Sequence, residues 1–311
     1  MLGSVSFLDT QYEVHVWNGQ RLGMRVCIDT ETTLTPFHIT PSLVTMQAFA
    51  GKDVYYVPKD QIKRFFEINH DSTFILHNFS FDFDVLAKFL EGEEVFYKII
   101  DEHRVLDTAI LYRLYHLGKI GFIPPRYNLA LLTEKFFNVE LDKEGQTQWS
   151  PYLNSKLENI PQNLLEYGAL DVIATYYLCG KLESLIKPLD SEGTLLSHDI
   201  QVKGEYALNR IFKNGIGFDL ERRDALLKEM NQKLEDEALI LDLYGWRRGL
   251  KGMKSRYDQI CEQYGIDVPF TADGSRSSKK EDLEKFQGNQ FVDAYLMYHE
   301  IEKATTFIRN I

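Results

Sequence analysis

Residues 26–31 read VCIDTE, and this short stretch decides the fold. An apolar run that ends in a polar cluster predicts a buried strand with the acidic residues at its carboxyl end. Residues i and i+2 of a strand point to the same face, so Asp29 and Glu31 would project together from one sheet edge. Two carboxylates this close repel each other unless a cation lies between them. Hard oxygen ligands suit Mg²⁺ or Mn²⁺, so the pair is a candidate divalent-cation site, with a solvated acidic turn as the alternative; the apolar strand before the pair favours the site.

Strands and helices alternate around this stretch, from Arg21 to Leu185. Three strands followed by helix, strand, helix, strand and helix predict an α/β domain with a mixed five-stranded sheet flanked by helices. Hairpins imply antiparallel neighbours on one side of the sheet, and helical crossovers imply parallel pairs on the other. The predicted strands are 26–28, 43–50, 54–57, 73–76 and 105–106.

A composition typical of an interdomain linker occurs in residues 187–198, which contain a proline, a glycine and two serines. We therefore predict a first domain at residues 1–190 and a second at residues 191–311. Helical spacing of apolar residues dominates beyond the linker, so the second domain should be mainly α-helical. Its predicted helices are 200–213, 222–243 and 291–308.

The composition is that of an ordinary globular protein, with 44% hydrophobic and 26% charged residues among 311. No apolar run is long enough to span a bilayer, and the N-terminus lacks the pattern of a signal peptide. Cys27, Cys179 and Cys261 are isolated, which argues against a zinc site or a disulfide framework and favours buried thiols in a reducing compartment. We therefore predict a cytoplasmic protein without a membrane partner. The net charge of −11 argues against a protein that coats nucleic acid through its whole surface, but it is compatible with local binding of nucleic acid.

A second polar pattern, HNFSFD, occupies residues 77–82, directly after a predicted strand. It starts a helix, so Asp82 lies in the first turn, where a negative charge interacts favourably with the helix dipole. A capping aspartate and a site residue are both compatible with this position. Asp107, at the end of the fifth predicted strand, is interpreted as a structural cap and kept outside the site.

A third pattern, YGALD, occupies residues 167–171 inside a long predicted helix. Positions i and i+4 share a helical face, so the phenol of Tyr167 and the carboxylate of Asp171 would point to one spot. Gly168 and Ala169 keep this surface small, which would allow close approach by a ligand. Each pattern alone is weak, since Asp-x-Glu also occurs at Asp190. Their order, at a strand end, a helix start and a helix face, predicts a common site.

The segments CIDTET, HNFSFD and YGALD resemble the Exo I, Exo II and Exo III motifs of the DEDDy 3′→5′ exonucleases. That group has the ribonuclease-H-like fold of the DnaQ superfamily, and the resemblance covers roughly residues 21–186. It implies the cofactors as well as the activity, namely two divalent metal ions, Mg²⁺ or Mn²⁺. Such a pair activates water and stabilises the leaving 3′-oxygen.

The resemblance also implies a role for each site residue. Asp29 would bridge both ions, Glu31 and Asp171 would complete the first site, and Asp82 would face the second, partly through water. Tyr167 would orient the attacking water.

Residues beside these motifs are implied to contact the DNA. Thr32 and Asn78 would bind the single-stranded 3′ end. Leu34 lies near the place of a residue that stacks on the last base. Trp149 is a second candidate for that role, but core packing is the preferred interpretation for it.

The second domain favours DNA over RNA as the substrate. Residues 209–226, NRIFKNGIGFDLERRDAL, resemble the segment where family A DNA polymerases enter their polymerase region, with a Gly-Ile turn before Asp219. Residues 265–283 and 298–307 resemble the thumb of bacterial DNA polymerase I. The resemblance therefore implies a proofreading exonuclease domain followed by a helical thumb-like segment, with primer–template duplex as a partner.

Residues 245–256, called the basic segment below, hold five cations and no acidic residue. Basic side chains with glycine backbone access suit phosphate contacts, and a solvated helix end is an equally good interpretation. The cations predicted to bind DNA are Arg247, Arg248, Lys251 and Lys254.

Other functions stay open at this point. An RNA-trimming exonuclease of the ribonuclease D type shares the tyrosine motif, and a non-catalytic binding or scaffold module could keep the fold. The intact set of five site residues argues against the non-catalytic module. Since the chain ends at Ile311, where a palm would begin, we expect no polymerase activity from it alone. A second chain carrying palm and fingers is a candidate partner.

Overall fold

The computed structural model describes residues 1–36, 39–141, 144–190, 192–193, 195–215, 217 and 219–310. The chain forms two compact units, Met1–Gly215 and Ile216–Ile311, which are described separately. Parts of two predicted segments lie outside the described residues. These are Ser191 and Thr194 of the linker, and Ile216 and Phe218 of the segment 209–226.

A single mixed sheet is the centre of the first unit. In the described part of the chain the strands are β1 (Gly3–Phe7), β2 (Thr10–Val16), β3 (Arg25–Thr32), β4 (Leu43–Phe49), β5 (Val54–Val57), β6 (Thr73–Leu76) and β7 (Val105–Asp107). They lie in the order β1-β2-β5-β4-β3-β6-β7. Strand β3 pairs antiparallel with β4 and parallel with β6, so the two kinds of pairing meet at the strand that carries the acidic pair.

The sheet has two strands more than the five predicted. The additional pair, β1 and β2, is an N-terminal hairpin in which Phe7 pairs with Thr10 across a tight turn. Every second residue faces the core, as Val5 and Phe7 do in β1 and Tyr12 and Val14 do in β2. This period-two alternation is the sequence signal that predicts the hairpin.

Helices cover both faces of the sheet, which confirms the predicted α/β class. Among the described residues the helices of the first unit are α1 (Ile62–Ile68), α2 (Phe79–Leu90), α3 (Glu94–Asp101), α4 (Thr108–Ile120), α5 (Leu129–Phe137), α6 (Gln162–Ile186) and α7 (Leu196–Asn214). One core joins the sheet to α5 and α6, and another joins it to α1, α2, α3 and α7.

Helix α7 places the boundary between the units at Gly215, whereas the sequence predicted it at residue 190. Val202 and Tyr206 are buried in the core of the first unit. Buried His198 also accepts a hydrogen bond at its Nε2 from the backbone N–H of Asp107, at 2.9 Å. The linker composition marks a real loop, but the helix after it packs back on the sheet domain.

The second unit is mainly helical, as predicted. In the described residues its helices are α8 (Leu220–Leu243), α9 (Met253–Gln263), α10 (Lys280–Leu283) and α11 (Gln290–Arg309). Its core surrounds Trp246, Tyr257, Phe291 and Tyr295, with α8 packed against α11. Asp219 caps α8, since its side chain accepts a hydrogen bond from the backbone N–H of Arg222.

No helix within the described ranges is long and apolar enough to cross a membrane. The three cysteines are free and buried, as the isolated thiols predicted.

Candidate active site

A cavity of about 750 Å³ opens beside the carboxyl end of β3 and brings together three separate parts of the sequence. Strand β3, the start of α2 and one face of α6 each contribute residues to its lining. The residues predicted for the exonuclease site all lie in that lining: Asp29, Glu31, Thr32, Asn78, Asp82, Tyr167 and Asp171.

Three of the carboxylates form a compact group. One carboxylate oxygen from each of Asp29, Glu31 and Asp171 lies within 4.8 Å of the other two. Asp82 is held slightly differently, because its Oδ1 accepts two hydrogen bonds from Thr30. The backbone N–H of Thr30 donates at 3.0 Å and its hydroxyl at 2.6 Å. A set made only of hard oxygen donors fits Mg²⁺ or Mn²⁺ rather than a softer metal.

The electrostatics of the group favour a bound cation. Burial, followed by repulsion from the other carboxylates, raises the pKa of Asp29 well above its usual range, and the same causes act on Glu31. Burial also raises the pKa of Asp82 to about 7, against the effect of the Thr30 hydrogen bonds, and that of Asp171 to about 7. Without a cation, these groups compete for protons near neutral pH.

Tyr167 lies one helical turn before Asp171 on α6, and its hydroxyl acts to lower the pKa of Asp171, against the effect of burial. A Cβ atom on Gly145 would lie 2.8 Å from the Tyr167 ring, so the ring packs directly against the backbone there. Burial and the nearby carboxylates raise the pKa of Tyr167 above its usual value. The phenol therefore keeps its proton and can donate a hydrogen bond.

The predicted role of Gly168 as an opening for a ligand is wrong. A Cβ atom at this position would lie 2.7 Å from Nε2 of Gln47 and 2.7 Å from the hydroxyl of Tyr56. Both side chains belong to the sheet, and neither Gly168 nor Ala169 lines the cavity. The small residues let α6 approach the sheet closely, and this approach brings Asp171 to the strand-end carboxylates.

Asp107 is a structural cap, as predicted. Its carboxylate accepts hydrogen bonds from the backbone N–H groups of Phe79 at 2.6 Å and Ile110 at 2.8 Å. It thereby joins the start of α2 to the start of α4. The core interpretation of Trp149 is confirmed too, because this side chain is fully buried, whereas Leu34 is exposed.

Several residues in or beside the cavity were not found from the sequence. Arg113 on α4 lines the cavity and forms an ion pair with Glu205 of α7 at 2.7 Å, and its guanidinium lies over the ring of Tyr127. Gln47 on β4 donates to two of the carboxylates. The residues of these pairs lie far apart in the sequence, so no local pattern points to them.

The basic segment belongs to the second unit, and its predicted DNA-binding side chains are exposed. Arg247 pairs with Asp242, Arg248 with Glu302 at 2.5 Å, and Lys254 with Asp273. These carboxylates come from outside the segment. The local positive charge is therefore smaller than the run of cations indicates.

Several solved structures match the chain, one of them with a TM-score above 0.5. The POL domain of Pol1 from M. smegmatis, in complex with DNA primer-template and dNTP, matches with a TM-score of 0.62 and 15% identity. The match covers 95% of this chain and 49% of that one, so this chain spans about half the length of that structure. At this identity the similarity shows the fold alone.

Two further structures match with lower TM-scores. The EXO domain of Aedes aegypti Nibbler has a TM-score of 0.46 and 17% identity over 61% of this chain and 95% of that one. Escherichia coli RNase D, an exoribonuclease, has a TM-score of 0.46 and 14% identity over 89% of this chain and 70% of that one. No curated protein sequence matches the chain.

The sequence profile of a 3′-5′ exonuclease family matches residues 12–187. This range is more than half of the 311 residues and contains the three segments that meet in the cavity. The chain therefore belongs to this family of 3′-5′ exonuclease domains.

Proposed function

We propose that the chain removes nucleotides from the 3′ end of single-stranded DNA, as the proofreading exonuclease of a family A DNA polymerase. The observation that carries the proposal is the meeting of four carboxylates and one phenol in a single cavity. Carboxylates that hold metal ions can supply activated water for hydrolysis without a serine, cysteine or histidine nucleophile.

The carboxylates would hold two divalent ions, Mg²⁺ or Mn²⁺. Asp29, Glu31 and Asp171 fit one ion, because their oxygens lie close enough to share it. Asp29 and Asp82 would hold the other. When bound, such ions supply the positive charge that activates water and stabilises a leaving 3′-oxygen.

The protein's own groups would orient the water and the substrate. The Tyr167 phenol keeps its proton and lies one helical turn from Asp171, so it can position a water beside that carboxylate. Asn78 precedes α2 in the left-handed conformation, with φ of 71°, and is exposed at the cavity. Together with Thr32 at the end of β3, it would contact the backbone of the terminal nucleotides.

DNA is the proposed substrate because the fold similarity to the polymerase structure extends over 95% of this chain, and that structure was solved with DNA primer-template. The thumb-like motifs of the second unit support the same choice. We propose that the basic segment contacts duplex phosphates through Arg247, Arg248, Lys251 and Lys254. In such a polymerase, the palm and fingers would be the structural partners of this chain.

The test is digestion of 3′-labelled single-stranded DNA and RNA of equal sequence, with Mg²⁺ and with EDTA. We expect mononucleotide release from DNA that stops in EDTA and is absent in Asp29→Ala, which also controls for contaminating nucleases. Preferred digestion of the RNA would instead identify an RNA-trimming exonuclease. Digestion that continues in EDTA would exclude the metal mechanism.

A further inference from the structure

Gln47 connects the two carboxylates at the end of β3. It lies on β4 directly opposite Asp29 in the antiparallel register, and it is fully buried. Its Nε2 donates to Oδ2 of Asp29 at 2.9 Å and to Oε1 of Glu31 at 3.2 Å. An amide nitrogen carries two protons, so these two bonds use its whole donor capacity.

The position of the Gln47 amide is determined by its neighbours. The hydroxyl of Thr45 donates to Oε1 of Gln47 at 3.4 Å, which directs the nitrogen towards the carboxylates. On the other side, Tyr56 is the partner of Gln47 on β5, and its hydroxyl donates to the backbone oxygen of Leu165 at 2.7 Å. The backbone of α6 at Gly168 closes the space above, since a Cβ there would lie 2.7 Å from Nε2. The amide therefore has no room to turn away.

The hydrogen bonds from Gln47 offset the repulsion between Asp29 and Glu31 in the metal-free site. Two neighbouring carboxylates repel each other and would separate, and bringing them together again would cost binding free energy. The partly positive amide hydrogens hold one oxygen of each carboxylate in place. The other oxygens, Oδ1 of Asp29 and Oε2 of Glu31, are not used by Gln47 and stay available to an ion.

We propose that Gln47 is a positioning residue that holds Asp29 and Glu31 in a metal-ready arrangement and so sets the affinity for the first divalent ion. The inference rests on the proposed function, because it assumes that these carboxylates bind metal. Hydrogen-bond donors behind metal ligands orient those ligands, and their loss weakens metal binding.

The test is Mn²⁺ binding to the EDTA-treated and dialysed full chain, measured by calorimetry and by electron paramagnetic resonance. Gln47→Met keeps the length of the side chain and removes the donor, and it should weaken Mn²⁺ binding about 10- to 100-fold. Tyr12→Phe is the control. It removes a hydroxyl from a buried residue of the same sheet whose hydrogen-bond partner is Tyr177, at 2.7 Å, so it should lower stability and leave the Mn²⁺ affinity unchanged.

Thr45→Val provides a second variant of conserved shape, in case Gln47→Met does not fold. It removes only the hydrogen bond that orients the Gln47 amide, so it should weaken Mn²⁺ binding by a smaller factor than Gln47→Met does. Wild-type affinity in a folded Gln47→Met or Thr45→Val protein would overturn the role of Gln47, as would an equal loss in Tyr12→Phe. Failure of the proposed function would give a different result. In that case the wild-type protein would show no Mn²⁺ binding that is lost in Asp29→Ala.

Discussion

Replacing Gly168 by alanine should destabilise the protein, although the same replacement at Gly180 of the same helix should stabilise it. Both glycines lie inside α6, where alanine is favoured over glycine by about 1 kcal/mol. The surroundings differ, because a Cβ at Gly180 would meet nothing within 4 Å, whereas one at Gly168 would lie 2.7 Å from Gln47 and Tyr56. A contact of 2.7 Å is several tenths of an ångström shorter than van der Waals contact, so the helix or the sheet must move.

The difference between the two variants isolates the steric effect, since the gain in helix propensity is common to both. Overpacking of a buried contact costs about 1–3 kcal/mol, so Gly168→Ala should be less stable than Gly180→Ala by about that amount. Hydrolysis should fall as well, because moving α6 moves Asp171 away from the strand-end carboxylates. Displacements of about 1 Å in a catalytic site cost about 100-fold in rate.

The assay is urea unfolding of both variants and the wild type, with exonuclease rates measured on the same preparations. Trp17 and Trp149 are both buried in the first unit, so their fluorescence follows the unfolding of the sheet domain. Equal stability of Gly168→Ala and Gly180→Ala would refute the close approach of α6 to the sheet. Full exonuclease activity in Gly168→Ala would refute the importance of this close approach for the site.

Three further outcomes are expected. In EDTA, Asp171→Asn should raise the free energy of unfolding at pH 8 by up to about 4 kcal/mol. Burial raises the pKa of Asp171 from 3.8 to about 7, so the wild-type protein loses stability as the pH rises through that range. Urea titrations would contradict this prediction if the variant gained as much free energy of unfolding at pH 5 as at pH 8. Asp29→Ala should abolish hydrolysis while Tyr167→Phe keeps a measurable remainder, and near-wild-type turnover in Asp29→Ala would exclude the assignment. Changing the four predicted DNA-binding cations of the basic segment to alanine should weaken primer–template binding and lower its salt slope by about one unit for each lost phosphate contact. Cleavage of a short single strand should stay nearly unchanged, and its collapse with intact duplex affinity would contradict the thumb interpretation.

Local patterns in the sequence were sufficient to predict the main parts of the fold and the site. An apolar run that ends in Asp29 and Glu31 predicts a buried strand with acidic residues at its edge, and the structure has this strand as β3. Helical spacing likewise predicts that Tyr167 and Asp171 share one face of α6. These predictions succeed because the period of a strand or a helix is a property of the chain over a few residues. The N-terminal hairpin has the same kind of signal in its alternating apolar residues.

Tertiary structure alone decided the relations between distant segments. Gln47 reaches Asp29 because β4 pairs with β3 in one register, and a shift by one residue would turn it to the other face of the sheet. Gly168 faces the sheet rather than a ligand because α6 packs across β3 and β4. Arg248 of the basic segment pairs with Glu302, which lies more than 50 residues later in the chain. Such contacts depend on how elements pack in three dimensions, and packing joins residues whose separation along the chain carries no periodic signal.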